Sequence, residues 1–230
     1  YRSGTGLVKV LTHEINKTAL LCRMPECLIS TYQDNMPLAA ELKADFEWAK
    51  SIAVGPGLSM NVAAAEITRC VLERDDKVRI LDADALAGEH IDYKGSREGQ
   101  IIITPHIMEM SRLTGKTVAD IKEHMIESAK EYAIQHSCIC ILKDARTVVT
   151  DGQKVYINCT GNDGMSTGGC GDVLTGLIAG MTAMGLDAFE AACLSVYVHG
   201  KAGDYAASGK GRAGMTAADI SEAIAYVLKR

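Results

Sequence analysis

A glycine-rich segment in front of an apolar helix is the part of this sequence best suited to chemistry. Its residues have side chains too small to shield the backbone, and they are Gly168, Gly169, Cys170 and Gly171. An apolar stretch that is predicted to be helical follows from Asp172 onward. The first N–H groups of a helix lack intrahelical acceptors and lie at the positive end of its dipole. The segment therefore predicts an anion site suited to a phosphate group.

Asp172 lies at the mouth of this predicted anion site. A carboxylate beside a bound phosphate is unfavourable unless it has a function, and one such function is to accept the proton of a hydroxyl that attacks phosphorus. The alternative is that Asp172 only caps the helix after a flexible loop. The flanking Asn162, Thr167 and Gly176, together with the long apolar helix, favour the catalytic interpretation.

Other phosphate-binding motifs are absent from the sequence or stand in the wrong context. There is no G-x-x-x-x-G-K-[ST] motif. Residues 209–214 match G-x-G-x-x-G, but they follow a predicted helix, whereas a dinucleotide fingerprint follows a strand. We expect them to form a loop between the last two helices, with Lys210 and Arg212 as minor candidates for nucleotide contacts.

Short apolar strands alternate with helices along the chain. Strands are predicted at residues 7–12, 51–54, 78–81, 101–103 and 138–142, with a hairpin at 147–150 and 155–157. Helices are predicted from residue 62 and at residues 117–136, 172–184, 187–207 and 216–228. Apolar strands alternating with helices are typical of an α/β domain whose parallel sheet is covered on both faces.

Small or polar residues follow four of these strands. They are Gly55 to Gly57, Asp82 to Asp84, Thr104 to His106, and Lys143 with Asp144. Because the carboxyl ends of parallel strands lie at one edge of a sheet, we expect the four clusters to meet in one ligand-binding crevice.

Composition narrows the class of protein. The 230 residues are 47% hydrophobic, which is enough for a sizeable core, and we predict a single domain over residues 1–230. The formal net charge of −5 argues against nucleic acid as a main partner. Eight cysteines without a C-x-x-C motif argue against structural zinc and favour the reducing cytoplasm. The longest nearly apolar stretch, residues 173–186, is too short to cross a membrane.

Four motifs carry a resemblance to a known family. They are VGPGL at residues 54–58, LDADAL at 81–86, TPHIMEMSRLTG at 104–115, and NCTGNDGMSTGGCGDVLTG at 158–176. In this order they resemble the NAD(P)H-hydrate dehydratase family of the ribokinase-like superfamily. The resemblance extends over essentially the whole chain. It implies a three-layer α/β/α fold with a mostly parallel central sheet.

The resemblance also implies a repair reaction. Members of the family use ADP or ATP to phosphorylate the C6 hydroxyl of the S-epimer of hydrated NADH or NADPH. The ring nitrogen then expels phosphate, which restores the dihydronicotinamide, so the enzyme is a lyase. Mg²⁺ would screen the nucleotide phosphates. The T-G-G-x-G-D form of the motif is similar to the prokaryotic branch, which favours ADP.

Residue roles follow from the same resemblance. Asp172 would be the catalytic base and a substrate contact, and Gly168, Gly169, Cys170 and Gly171 would hold the transferring phosphate. Gly57 and His106 would contact the hydrated substrate. The adenine nucleotide would bind to Gly171 and to the turn formed by Lys143, Asp144, Ala145, Arg146 and Thr147. No side-chain cluster is predicted to hold a resident metal.

Departures from the family pattern leave some of these roles open. Asp144 stands where the family has glycine, and its carboxylate would repel phosphates unless it points outward. Asp82 and Asp84 are either substrate or metal–water contacts or residues of a strand-end turn. Glu109 either positions a phosphate and its metal or lies on an exposed helix face.

Further expectations concern what surrounds this chain. Family members begin with a strand and a glycine-rich turn that would precede residue 1, so we expect the natural chain to be longer. The family also implies a homotetramer and an epimerase partner, fused or separate. Two other functions remain as alternatives: a ribokinase-like kinase acting on a vitamin or sugar alcohol, and a non-catalytic adenine-nucleotide sensor.

Overall fold

The central sheet consists of mostly apolar strands, and its inner strands are buried on both faces. The structure is a computed structural model that describes residues 1–33, 38–87 and 100–229. Its strands are β1 Lys9–His13, β2 Leu28–Tyr32, β3 Ser51–Val54, β4 Val78–Leu81, β5 Ile101–Ile103, β6 Ile139–Leu142, β7 Val148–Thr150 and β8 Val155–Ile157. All residues of β5, β6 and β7 are buried, which explains why these segments are uniformly apolar rather than alternating.

Six of these strands form one sheet in the order β3-β4-β5-β6-β7-β8. Neighbouring strands from β3 to β6 are parallel, with Ile52 opposite Arg79 and Ile102 opposite Ile139. The β6–β7 and β7–β8 pairs are antiparallel, and the predicted hairpin around residues 151–152 is confirmed. The carboxyl ends of β3, β4, β5 and β6 therefore lie along one edge.

Helices cover both faces of this sheet. They are α1 Lys17–Arg23, α2 Leu38–Trp48, α3 Val62–Leu72, α4 Ile107–Thr114, α5 Val118–Glu123, α6 Met125–His136, α7 Cys170–Ala183, α8 Ala188–Lys210 and α9 Ala217–Val227. Side chains of α3 to α6 share a core with Leu81, Ile103 and Cys140 of the sheet. Side chains of α7 and α8 share a second core with Ile80 and Ile102. The predicted three-layer α/β/α arrangement is thus confirmed.

The structure adds α1, β2, α2 and α4, which were not predicted, and two predicted elements differ from the prediction. Strand β1 pairs in parallel with β2 in a separate two-stranded sheet instead of joining the main one. The single helix expected over residues 117–136 is wrong, because His124 has a non-helical backbone (φ −127°, ψ 49°) and separates α5 from α6. The segment contains neither proline nor glycine, and its apolar spacing stays in phase across the break, so periodicity does not reveal it.

The cysteines and the helices also bear on the class of protein. All eight cysteines are free thiols, and five of them are buried: Cys27, Cys70, Cys138, Cys140 and Cys170. Burial raises the pKa of Cys138 to about 12, which is typical of an unreactive core thiol. Within the described residues, no helix combines the length and apolar character that a membrane crossing requires.

Candidate functional site

The turn after β3 packs against the chain that leaves β4. The Leu58 N–H donates to the carbonyl of Gly55 (3.0 Å), and the Ser59 N–H donates to Oδ2 of Asp84 (2.7 Å). Gly55 has φ +125°, and a Cβ atom there would lie 1.7 Å from the Asp82 carbonyl oxygen. Only glycine fits this contact. The turn that contains Gly57 is thereby held beside Asp82 and Asp84, as the sequence predicted.

Asp82 is the buried centre of a polar network at this edge. Its Oδ1 accepts a hydrogen bond from Lys143 Nζ (2.9 Å), and its Oδ2 accepts one from Thr175 Oγ1 (2.7 Å). Burial by itself would raise the pKa of Asp82. The Lys143 ammonium and the hydrogen bonds from Thr104 and Thr175 outweigh that effect and hold the pKa below its ordinary value. Asp82 is therefore an ionised carboxylate that joins β4, the end of β6 and α7.

His106 lies directly beside Lys143. The Lys143 N–H donates to the Pro105 carbonyl (2.8 Å), which forms a parallel bridge between His106 and Lys143. His106 also caps α4: its Nδ1 accepts from the Glu109 N–H (3.1 Å), while Glu109 Oε2 accepts from the His106 N–H (2.7 Å). Because Nδ1 is an acceptor, the proton of a neutral imidazole lies on Nε2. The ring is half exposed, and Nε2 lies 3.4 Å from Glu109 Oε1, so this N–H can turn to a ligand in place of that contact.

The glycine-rich segment forms the beginning of α7. Gly169 precedes the helix with φ +87°, a left-handed conformation. Within the described residues no side chain caps the first turn, and of its N–H groups that of Cys170 donates to the Thr167 carbonyl (3.3 Å). Gly171 faces the polar network: a Cβ atom there would lie 3.4 Å from Lys143 Nζ and 3.8 Å from Asp82 Oδ2. Asp172, the third residue of the helix, is exposed. Uncapped N–H groups, an ammonium group and an accessible carboxylate thus meet in one place.

Helix α8 supports the loop that leads into α7. Asp204 accepts from the Gly161 N–H and from Asn162 Nδ2, both at 3.1 Å, and Thr160 Oγ1 donates to the Tyr197 carbonyl (3.1 Å). Gly200 allows this approach, because a Cβ atom there would lie 2.2 Å from Thr160 Oγ1. These contacts hold the loop that precedes the glycine-rich segment in place.

His199 is a buried imidazole beneath the start of α7. Burial lowers its pKa to about 4, with a smaller lowering effect from Lys143, while a hydrogen bond with the backbone of Cys170 acts in the opposite direction. Its Nε2 is buried and has no hydrogen-bond partner within the described residues. His199 is therefore neutral at physiological pH and packs against the residue that opens α7.

The predicted nucleotide turn divides into two parts. Lys143 belongs to the Asp82 network, whereas Asp144, Ala145 and Arg146 are exposed on the β6–β7 connection. Arg146 Nη1 donates to the Ala145 carbonyl (3.1 Å), and Thr147 Oγ1 donates to that of Asp144 (3.4 Å). The structure thus brings Lys143 and Gly171 together, and a nucleotide contact by the other four residues stays a prediction.

The two basic residues of the G-x-G-x-x-G segment have acidic neighbours of their own. Lys210 Nζ lies 3.9 Å from Asp219 Oδ1, and Arg212 Nη1 lies 3.2 Å from Asp163 Oδ1. Residues 209–210 form the end of α8 and residues 211–214 belong to the connection before α9, so the predicted loop is shorter than expected. These contacts give no support to a nucleotide role for Lys210 or Arg212.

Sequence reasoning missed four residues that organise the site. Thr104 and Thr175 donate to Asp82, His199 supports the start of α7, and Asp204 holds the preceding loop. Thr104 and Thr175 had usable signals, since Thr104 belongs to the strand-end cluster before His106 and Thr175 lies one helical turn after Asp172 within the recognised motif. His199 and Asp204 lie in an apolar helix whose spacing gives no indication of a site.

Comparisons with known proteins point to one family. Residues 1–226 match the family model described as NAD(P)H-hydrate dehydratase. The bifunctional NAD(P)H-hydrate repair enzyme of Moorella thermoacetica is 44% identical over 182 residues, and the match covers 77% of this chain. This match spans only 34% of that longer protein. The ADP-dependent (S)-NAD(P)H-hydrate dehydratase of Bacillus subtilis is 34% identical over 231 residues, covering 100% of this chain and 81% of that protein.

A solved structure supports the same similarity. The ADP/ATP-dependent NAD(P)H-hydrate dehydratase of Bacillus subtilis, co-crystallised with ATP and Mg²⁺, superposes with a TM-score of 0.85 at 31% identity. The superposition covers 98% of this chain and 79% of that one.

Proposed function

Because the chain belongs to the NAD(P)H-hydrate dehydratase family, we propose that it restores NADH and NADPH from the S-epimers of their hydrates at the expense of ADP or ATP. The observation that carries this proposal is the meeting of three groups at the start of α7: the uncapped N–H groups, the Lys143 ammonium and the exposed Asp172 carboxylate. Phosphoryl transfer needs this combination of charge stabilisation and a proton acceptor.

The proposed reaction has two steps. In the first, the C6 hydroxyl oxygen of the hydrate forms a bond to the terminal phosphorus while the bond from phosphorus to the leaving nucleotide oxygen breaks. Asp172 accepts the hydroxyl proton, and the N–H groups from Gly168 to Gly171 bind the phosphoryl oxygens. In the second step, the ring nitrogen donates its lone pair, the C6–O bond breaks and phosphate leaves. Loss of a proton from C5 then restores the C5=C6 double bond.

The substrate and nucleotide sides of this site are assigned as follows. Gly57 and His106 would contact the hydrated nicotinamide nucleotide, and the His106 Nε2–H is the donor available for it. Lys143, Asp144, Ala145, Arg146 and Thr147 would contact the adenine nucleotide. Asp144 is exposed, so its carboxylate can point away from the phosphates.

Mg²⁺ fits this site as a companion of the nucleotide. The described residues contain no cluster of three or more His, Cys, Asp or Glu side chains that could hold a metal. Mg²⁺ is commonly held by one or two carboxylates together with substrate phosphates, and Asp84 is the candidate. When bound, the ion would neutralise charge on the phosphates.

The surroundings of the activity are proposed on the same basis. The chain spans about a third of the bifunctional Moorella repair enzyme, which supports cooperation with an epimerase, fused or separate. We further propose a homotetramer of single dehydratase domains in the cytoplasm, where eight free thiols would stay reduced.

The decisive experiment supplies the chain with (S)-hydrated NADH, Mg²⁺ and either ADP or ATP. We expect the near-ultraviolet absorbance of the dihydronicotinamide ring to return, with one phosphate released for each ring restored. A stable phosphorylated product would instead show a small-molecule kinase. Nucleotide binding by calorimetry without any phosphate release would show a sensor.

A further inference from the structure

We infer that Asp82 is a positioning residue that holds the ammonium of Lys143 against the start of α7, so that Lys143 stabilises the phosphoryl group during its transfer. This inference rests on the proposed function and extends it to residues whose role the motif left open. The reaction step concerned is the one in which the new O–P bond forms as the old one breaks. Lys143 would transfer no proton and would act only through hydrogen bonds and charge.

The ion pair is asymmetric in a way that a purely structural pair need not be. The Asp82 side chain is 2% exposed, whereas that of Lys143 is 20% exposed. The carboxylate is thus fixed in the interior by Thr175 Oγ1 at 2.7 Å, and the ammonium is the member that reaches the surface. An ammonium group has three N–H donors, and Asp82 accepts one of them. Among the residues that the structure describes, no other side chain accepts from this ammonium, which leaves donors for a ligand.

The space in front of this ammonium is open because residue 171 is glycine. The Cβ position that Gly171 lacks lies 3.4 Å from Lys143 Nζ, so an oxygen atom held near the first turn of α7 would lie within reach of both the helix N–H groups and Lys143. Asp172 is the next residue along the helix. The ammonium therefore lies where negative charge spreads over the phosphoryl oxygens in the transition state.

Asp82 also connects this ammonium to the helix that carries the base. Its two carboxylate oxygens bind residues on two different elements, Lys143 after β6 and Thr175 in α7. Thr175 lies three residues after Asp172, so it shares a face of α7 with the base. The Asp82 carboxylate thus sets the distance between the Lys143 ammonium and the Asp172 carboxylate. A misplacement of a catalytic group by about 1 Å can lower the rate roughly 10²-fold.

The test is a double-mutant cycle of Asp82→Asn and Lys143→Met, read as separate kcat and KM values. We expect Asp82→Asn to lower kcat by roughly 10- to 100-fold with the nucleotide KM within a few-fold of wild type. If Asp82 acts through Lys143, adding Asp82→Asn to Lys143→Met should lower kcat no further. A double variant whose loss equals the product of the two single losses would overturn the inference, as would a raised KM with kcat unchanged.

A binding measurement tests the inference even if a variant folds poorly or the proposed reaction is wrong. Lys143→Met leaves the buried Asp82 carboxylate without its cation, which can prevent this variant from folding. In that case the double variant, which lacks both charges, is compared directly with Asp82→Asn. Calorimetry with the leaving nucleotide, AMP for an ADP donor or ADP for an ATP donor, alone and with fluoroaluminate, a mimic of the transferring phosphoryl group, needs no hydrated substrate. We expect fluoroaluminate to tighten binding of the leaving nucleotide of the preferred donor at least tenfold in wild type and not in Asp82→Asn. Equal tightening in both would overturn the inference, whereas an inactive wild type that still passes this test would refute only the proposed reaction.

Discussion

The ammonium nitrogen of Lys143 lies 3.4 Å from the position that a Cβ atom on Gly171 would occupy. This distance is an ordinary van der Waals contact, so a methyl group fits there without moving the lysine. It would nevertheless fill the space in which a phosphate would meet both Lys143 and the first N–H groups of α7. Under the proposed function, we expect Gly171 to serve ligand access rather than folding.

Gly171→Ala should accordingly separate activity from stability. We expect the free energy of unfolding to change by about 1 kcal/mol or less, because the site is helical and alanine is the better helix former. Repair activity should fall by at least about tenfold. Activity assays and thermal unfolding of the same preparation measure both effects.

Gly176→Ala is the matched control for this substitution. Gly176 lies in the same helix, is exposed and has no atom within 4 Å of its missing Cβ. It should show a similar change in stability with full activity. An equal loss of activity in both variants would mean that the helix, and not the space beside Lys143, is responsible.

Asp172→Asn should remove the proton acceptor and leave the anion site. We expect kcat to fall by roughly 10²- to 10⁴-fold, which is the usual contribution of a general base. Nucleotide affinity, measured by calorimetry, should stay within a few-fold of wild type. Asp163→Asn is the control, because this exposed carboxylate pairs with Arg212 at the surface. Equal losses of binding and turnover in Asp172→Asn would show that the carboxylate has a structural role.

Gly57→Ala should affect the substrate rather than the fold. Gly57 has φ +63° and no atom within 4 Å of its missing Cβ, so alanine there costs only the left-handed conformation, about 1 kcal/mol. Gly115, which ends α4 with φ +71°, is equally open and provides a matched control. We expect equal losses of stability in the two alanine variants, and a raised KM for the hydrated substrate only in Gly57→Ala. Unchanged kinetics in both would contradict a substrate contact at Gly57.

The fold was predictable wherever burial is complete. Strands β4 and β5 have the predicted bounds because a strand covered on both faces must be a short, mostly apolar run between polar residues. Helix α4 was not predicted, since its N-cap is His106, a residue type that rarely caps helices. The separate β1–β2 sheet was also hidden, because an isolated apolar run carries no information about which strand it pairs with.

The site was predictable in its parts but not in its connections. The uncapped start of α7, Asp172 and Lys143 follow from residue types in a short segment. The bond from Thr175 to Asp82 joins residues 93 positions apart, and only the folded sheet brings β4 beside α7. His199 was missed for the same reason, since its long apolar helix resembles any core helix in sequence.

The lowered pKa of His199 predicts how acid changes the free energy of unfolding. Its pKa is about 4 in the folded chain and about 6.5 when unfolded, because burial disfavours the charged imidazole. Between these pH values the unfolded chain binds a proton that the folded chain does not. The free energy of unfolding should therefore decrease as the pH falls from about 6.5 to about 4, by up to about 3 kcal/mol from this residue.

His199→Gln removes this titration, and urea unfolding at several pH values measures the result. The variant should lose stability near neutral pH through altered packing, but its unfolding free energy should depend less on pH between about 4 and 6.5 than that of wild type. His124→Gln, at an exposed position between α5 and α6, should follow the wild-type curve. If the two variants had the same pH dependence as wild type, the imidazole beneath α7 would have to be protonated in the folded chain. Its buried Nε2 would then need an acceptor that the described residues do not provide.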